Sequence, residues 1–371
     1  MKKYINICHL TTAHTRNDVR IFHKECVSLA KVANFNVNLI VADGKKDEIK
    51  YNVKIQSVIK LNGRLNRFFK TTKNVYKKAI EINADIYHLH DPELIFVGLK
   101  LLNKGKKVVF DAHEDVPKQL LGKPYLNTVL LFFLSKTFSL FENYACKKYS
   151  YIITATPTIK EKFLKINKNT QDINNFPILK EFSKDIKWGE KKDEVCYIGG
   201  ISKIRGINEI VTAFDDVSEI KLNLAGNFVE KNIENDVKEM KGWKQVNNFG
   251  YVDRDEINDI LSISKAGLVT LYPIINYKES LPVKMFEYMA AGIPVIYSNF
   301  DLWKGIVEKE NCGIAVDPLI PSEINNAIKY IILNPKEAEL MGQNGKKAVF
   351  SKYNWNVEEN KLINVYKELL S

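Results

Sequence analysis

The sequence has few cysteines, and their spacing suggests no pairing. Cys8, Cys26, Cys146, Cys196 and Cys312 are odd in number and far apart. That excludes a disulfide framework or a zinc site and predicts reduced thiols in a cytoplasm. No apolar run reaches the roughly 18 residues that a bilayer-spanning helix needs. The opening MKKYINICHLTTAHT starts like a signal peptide but turns polar after Leu10, so it reads as a short buried strand. No short repeat, low-complexity tract or nucleic-acid motif is visible, so nucleic acid is not an expected partner.

What is present fits a soluble enzyme. The chain has 371 residues, too many for one ordinary core, with 45% hydrophobic and 27% charged residues. Its net charge of +11 is uneven: residues 1–177 carry +15 and residues 178–371 carry −4. A basic half suggests an anionic partner, such as a phosphorylated acceptor or a membrane surface.

Short apolar runs alternate with amphipathic ones. Strands are predicted at 4–10, 36–42, 85–90, 107–111 and 151–154. Helices are predicted at 18–31, 64–80, 93–102 and 126–148. Thr15 and Asp18 have capping-box spacing, and Val19, Phe22, Cys26 and Leu29 form one apolar stripe. Regularity breaks over 174–188, and a second strand–helix series follows. Alternation of this kind means βαβ units and parallel sheets. The expected α/β architecture is two Rossmann-like domains facing each other across a cleft. They are 1–177 and 178–354, with a last helix over 355–371 packing back on the first. Ligands in such sheets sit outside the carboxyl ends of the strands.

The stretch ESLPVKMFEYMAAGIPVIYS, 279–298, concentrates the chemistry. A helix starting near Ser280–Pro282 would present free N–H groups and the positive end of its dipole to a phosphate. Glu279 stands at its mouth and Glu287 eight positions on, about 12 Å if helical. Glu279 suits sugar hydroxyls and Glu287 the two hydroxyls of a ribose.

The stretch resembles the E-x7-E signature of retaining glycosyltransferases of the GT-B fold, glycosyltransferase family 4 type. YIGGISKIRGINEIVTAF (197–214), LNLAGNF (222–228), VNNFGYVDRDEI (246–257) and CGIAVDP (312–318) are similar to that family's C-terminal half. NDVRIFHKECVSLAK (17–31), HLHDPEL (88–94) and KKVVFDAHED (106–115) resemble its bacterial surface polysaccharide branch. The resemblance implies an enzyme that moves a sugar, with retention, from a nucleotide sugar to a hydroxyl of a saccharide or lipid-linked acceptor. It implies no cofactor and no obligatory metal.

Residue by residue, the resemblance gives Glu279 the donor sugar and Glu287 the ribose. The backbone of Ser280, Leu281 and Val283 would face sugar and phosphate. Arg205 would neutralise the diphosphate, and His113 would stand near the anomeric carbon. Gly200 occupies the place where the family often has an arginine, so Lys284, Arg16 or Arg20 would substitute. His14, Arg16 and Arg20 fall on the acceptor side. The implied location is cytoplasmic, or peripheral on the inner face of the cell membrane.

Other readings compete. A GT-B epimerase or hydrolase would need no glycosyl acceptor, and a non-enzymatic protein would use the basic half to bind anionic surfaces. His88 and His90 share one face of a strand, where hydrogen-bonded histidines are commoner than metal ligands. Asp253-Arg254-Asp255 has the form of a metal–nucleotide motif, but Asp253 and Glu256 have capping spacing. Residues 64–80 would gather Arg67, Lys70, Lys73, Lys77 and Lys78 on one side of a helix and Phe68, Phe69 and Tyr76 on the other. The run VLLFFLSKTFSLF (129–141) reads as a buried or acceptor-side helix.

Overall fold

The computed structural model describes residues 4–121, 127–182, 184 and 186–371, the side chain of Arg64 apart. The chain divides into two compact units. One comprises Met1–Asn175 with Asn356–Ser371, the other Phe176–Trp355.

The first unit is built on an eight-stranded sheet. Its strands are β1 (Ile5–Leu10), β2 (Phe35–Ala42), β3 (Glu48–Lys50), β4 (Val53–Val58), β5 (Ile86–Leu89), β6 (Lys107–Ala112), β7 (Tyr151–Thr154) and β8 (Thr170–Asp172). Their order is β3-β4-β2-β1-β5-β6-β7-β8. All neighbours are parallel except β3 and β4. Parallel strands covered on both faces read as continuous apolar runs, and Ile86–Leu89 and Tyr151–Thr154 are buried throughout. The β3–β4 hairpin and β8 escaped the sequence reading because they are short and polar. Val53 and Ile55 alone of the hairpin enter the core.

The second unit has six parallel strands: β9 (Glu194–Ile198), β10 (Lys221–Ala225), β11 (Val246–Gly250), β12 (Ala266–Val269), β13 (Val295–Ser298) and β14 (Gly313–Val316). The order β11-β10-β9-β12-β13-β14 reverses direction beside β9, as in a dinucleotide-binding sheet. The switch point puts the loop after β9 at the ligand-binding edge. The expected two Rossmann-like sheets are therefore both present.

Two helices differ from expectation. Residues 19–26 form a π-helix, with α-helical Val27–Ala30 behind it. Its N-cap is Asp18, whose carboxylate accepts from the amides of Arg20 and Ile21; Thr15 does not cap it. The wider turn buries Arg20, Ile21, Phe22, Lys24, Glu25 and Cys26, while Val19 is exposed. Of the expected stripe Phe22, Cys26 and Leu29 are buried, and only Val19 falls outside it. The second is the Thr128–Cys146 helix, which begins two residues later than expected; Leu126 lies outside the described residues. It carries a run of exposed apolar side chains, contrary to a buried placement.

Candidate functional site

In the second unit the site grows from the turn after β9. Gly199 has φ +123° and Gly206 has φ +76°, values a side chain would strain. A Cβ on Gly206 would sit 2.1 Å from the Thr270 carbonyl oxygen, so only glycine lets this turn approach β12. The turn is closed by two donors on one carbonyl. Tyr197 Oη and Arg205 Nη1 each donate to the Gly200 oxygen at 2.9 Å. Gly200 leaves room here: a Cβ would stand 2.8 Å from Arg205 Nη1.

Lys284 approaches the same turn from the Val283–Ala290 helix. Its ammonium lies 3.7 Å from the centre of the Tyr197 ring. It is also 3.5 Å from where a Gly199 side chain would begin. Its stem is partly exposed, but its nitrogen is buried and has no hydrogen-bond partner. Burial, and then the charge of Arg205, push this amine down to about 7. Two cations thus flank one glycine turn: Arg205 is held by a neutral carbonyl, and the Lys284 nitrogen has no hydrogen-bond partner.

The helix starts later than its sequence suggested. Val283 is its first residue and Pro282 its N-cap, with no side chain capping the first turn. Glu279 closes the separate short helix Ile275–Lys278. The two glutamates therefore do not lie along one helix, and the 12 Å rise does not apply. Between them, Ser280 donates from Oγ to the Tyr277 carbonyl at 3.0 Å. Its own carbonyl accepts from Trp303 Nε1 at 2.7 Å. Leu281 packs on the core of this unit. These anchors fix the 279–282 backbone.

Glu287 Oε1 accepts from Arg254 Nη2 at 2.7 Å, and the same nitrogen lies 2.6 Å from Glu181. The ring of Phe182 is 5.2 Å from the guanidinium carbon. The Asp253–Glu256 pair forms a complete capping box on the Arg254–Ile263 helix. The acidic motif is thus a cap, and Arg254 is the first residue of the helix it caps. Sequence reading missed Arg254 because its neighbours explained themselves.

In the first unit, His9, His88, His90, Asp111 and His113 gather at the carboxyl ends of β1, β5 and β6. Arg20 donates to both oxygens of Asp111, at 3.0 and 2.8 Å, and to the Ile173 carbonyl at 2.7 Å. Asp111 Oδ2 is 2.8 Å from His113 Nε2. Burial opposes ionisation of Asp111, but Arg20 and then His113 outweigh it and hold it well below the usual range. Burial and Asp111 push Glu25 well above its usual range. Burial lowers His90 to about 4 against the pull of Asp111. His113 is the partly exposed end of this buried chain, with His14 edge-on at 5.3 Å. His14 bridges Asp18 at 3.2 Å and Asp91 at 3.5 Å.

The two arginines proposed as substitute cations are committed elsewhere. Arg16 is paired with Asp43 at 2.6 Å and Glu48 at 2.7 Å. Arg20 is buried behind Asp111. His88 donates to, or accepts from, Tyr366 at 2.8 Å, so it is a hydrogen-bonded core histidine. His9, Glu25, His88 and His90 have ligand atoms within 4.8 Å of one another, but Arg20 stands 3.2 Å from Glu25 and opposes a cation there. Asp111 and Glu25 were missed as site residues. Asp111 had a signal, since strand alternation puts 111 and 113 on one face.

Comparison with known proteins follows this division. Residues 19–173 match the family described as Glycosyltransferase Family 4, and residues 180–348 match Glycosyl transferases group 1. The chain is a glycosyltransferase of this family 4 and group 1 type. An uncharacterised glycosyltransferase of Methanocaldococcus jannaschii is 25% identical to this glycosyltransferase over 303 residues, 76% of this chain and 75% of that protein. Sucrose-phosphate synthase from Thermosynechococcus elongatus shares the fold with a TM-score of 0.80 and 19% identity, over 99% of both chains. The Anabaena protein HepE, in complex with UDP-glucose, shares it with a TM-score of 0.74 and 13% identity, over 98% of this chain and all of that one. The GT-B glycosyltransferase fold expected for this chain is thereby established.

Proposed function

We propose that this glycosyltransferase moves a sugar from a nucleotide-diphosphate sugar to a hydroxyl of a saccharide or lipid-linked acceptor, with retention, in surface polysaccharide or related glycan synthesis. The carrying observation is the buried, unpartnered Lys284 ammonium beside Arg205 at the Gly199–Gly200 turn. A diphosphate supplies the missing anion. The uncapped end of the Val283–Ala290 helix adds a third favourable charge. Together these stabilise charge that develops on a departing diphosphate, with no metal required. HepE holding UDP-glucose on the same fold supports a nucleotide-sugar donor. Retention and the polysaccharide role rest on the resemblance of 279–298 and of the N-terminal motifs to their family.

In this reading Glu287 takes the ribose, and Arg254 holds its carboxylate ready. Glu279 and the 280–283 backbone take the donor sugar, and His113 positions the reacting groups. Calorimetry with UDP tests the assignment. Glu287→Ala should weaken UDP, and Glu279→Ala should leave UDP near wild type while cutting transfer. Removal of a charge-assisted contact costs roughly 1.5–3 kcal/mol, so Arg205→Ala should weaken UDP about tenfold to a hundredfold, and UMP less. UDP affinity unchanged in both Arg205→Ala and Lys284→Ala would overturn the diphosphate site.

A further inference from the structure

The Thr128–Cys146 helix is apolar on both sides: Leu131, Ala145 and Cys146 are buried, yet a second apolar face is turned outward. Its buried positions include Ser135 and Glu142. Ser135 donates to the Pro117 carbonyl at 2.7 Å, and Glu142 accepts from Lys162 at 2.7 Å. Its outward positions include Val129, Phe132, Phe133, Leu140 and Tyr144, each half or more exposed. Phe133 is 63% and Leu140 72% exposed, so the outer side is apolar too.

This face continues into a groove. Phe141 stacks on Phe96 at 4.2 Å, and Phe96 meets Phe68 edge-on at 6.2 Å. Phe68, Phe69, Tyr76 and Phe96 line a groove of about 500 Å³, with Lys73, Lys77 and Lys100 among its walls. An exposed apolar surface this continuous marks an interaction site.

The charge around it is mostly positive, the exposed Glu81 at the end of the Thr72–Ile82 helix being paired with Lys78 at 3.4 Å. Residues 64–80 contain no Asp or Glu, and residues 128–148 contain only the buried Glu142. Glu93, at the groove, is buried against Arg67 at 2.6 Å. Lys70, Lys73, Lys77, Lys100, Lys136 and Lys148 are all exposed. Among the described residues no helix is long and apolar enough to cross a membrane.

We propose that the Thr128–Cys146 helix and the adjoining groove dock this chain on an anionic lipid bilayer, lying on the surface with the aromatic side chains inserted and the lysines at the headgroups. An apolar face with a basic rim is the chemistry of an interfacial helix. A second protein copy would bring the same positive rim against itself, whereas anionic headgroups complement it. The surface is separate from the nucleotide reading, so its test needs no turnover.

The probe is sedimentation with vesicles of phosphatidylcholine alone or with 40% phosphatidylglycerol, an arbitrary but roughly standard anionic content. Wild-type protein should pellet with the anionic vesicles and not the neutral ones. Binding should fall with salt, since surface attraction is screened over about 8 Å at physiological ionic strength. Phe132→Ser with Phe133→Ser and Leu140→Ser should weaken binding at least tenfold. So should Lys73→Glu with Lys77→Glu and Lys100→Glu, at about fivefold or more per charge. All six positions are solvent-facing, and unchanged melting and UDP affinity verify folding. The proposal is overturned if wild-type protein stays in the supernatant with anionic vesicles at low salt. It is equally overturned if the serine variant binds like wild type, or if the face instead holds a dimer that the serine variant dissociates.

Discussion

Lys284 sets folding and binding against each other. Its ammonium is buried with an aromatic ring and no acceptor. An unpartnered buried polar group costs about 1–3 kcal/mol. Lys284→Met should therefore raise the melting temperature while weakening UDP, and a thermal melt beside calorimetry would show both signs. A variant that loses stability would mean the amine has a structural partner. The same residue predicts a pH dependence. Free, it titrates near 7; a bound diphosphate favours the charged form and raises it. Between the two values the complex holds more protons than the free protein. UDP affinity should then fall as pH rises above about 7, and binding at pH 8 should take up protons, read from calorimetry in buffers of different ionisation enthalpy. Some of this was legible. Glu279, Glu287 and Arg205 stood in recognisable motifs. Lys284 stood there too, as a candidate cation, but the burial of its ammonium was not legible, because it depends on a contact with Tyr197 on β9.

At the level of elements, strands were easier to read than helices. A parallel strand buried on both faces reads as an apolar run, and 151–154 is a strand to the residue. Helix faces depend on what covers them. The apolar composition of 129–141 suits either a core or a lipid surface, so burial could not be inferred from it. The π-turn at 19–26 was invisible because its Asp18 cap is the same signal that precedes an ordinary α-helix. Where a local motif decided the matter, sequence was enough, as with the Asp253 capping box. Asp253→Ala should cost about 1 kcal/mol of stability. If the acidic motif is only a cap, UDP affinity of the wild type should be the same in Mg²⁺ as in EDTA. A large metal dependence abolished by Asp253→Ala would reverse that conclusion.

On the scale of the whole molecule, the first unit is discontinuous in sequence. Asn356–Ser371 belongs with Met1–Asn175. Leu362 and Tyr366 are fully buried, Tyr366 bonds His88, and Glu358 accepts from the Asn174 amide at 2.8 Å. Leu362→Ala leaves a cavity costing about 2–5 kcal/mol. Amide exchange should then accelerate across β1, β5 and β6 but not β9–β14, and UDP affinity should hold. Uniform acceleration over both sheets would show that the chain unfolds as one. The split also sets an order of assembly during synthesis. The whole of Phe176–Trp355 is translated between the two pieces of the first unit. At 5–20 residues per second that gap is roughly 10–40 s. For that time the second unit is being made, while the histidines of β1 and β5 wait without Tyr366. The first half thus lacks part of its own core until translation reaches Tyr366.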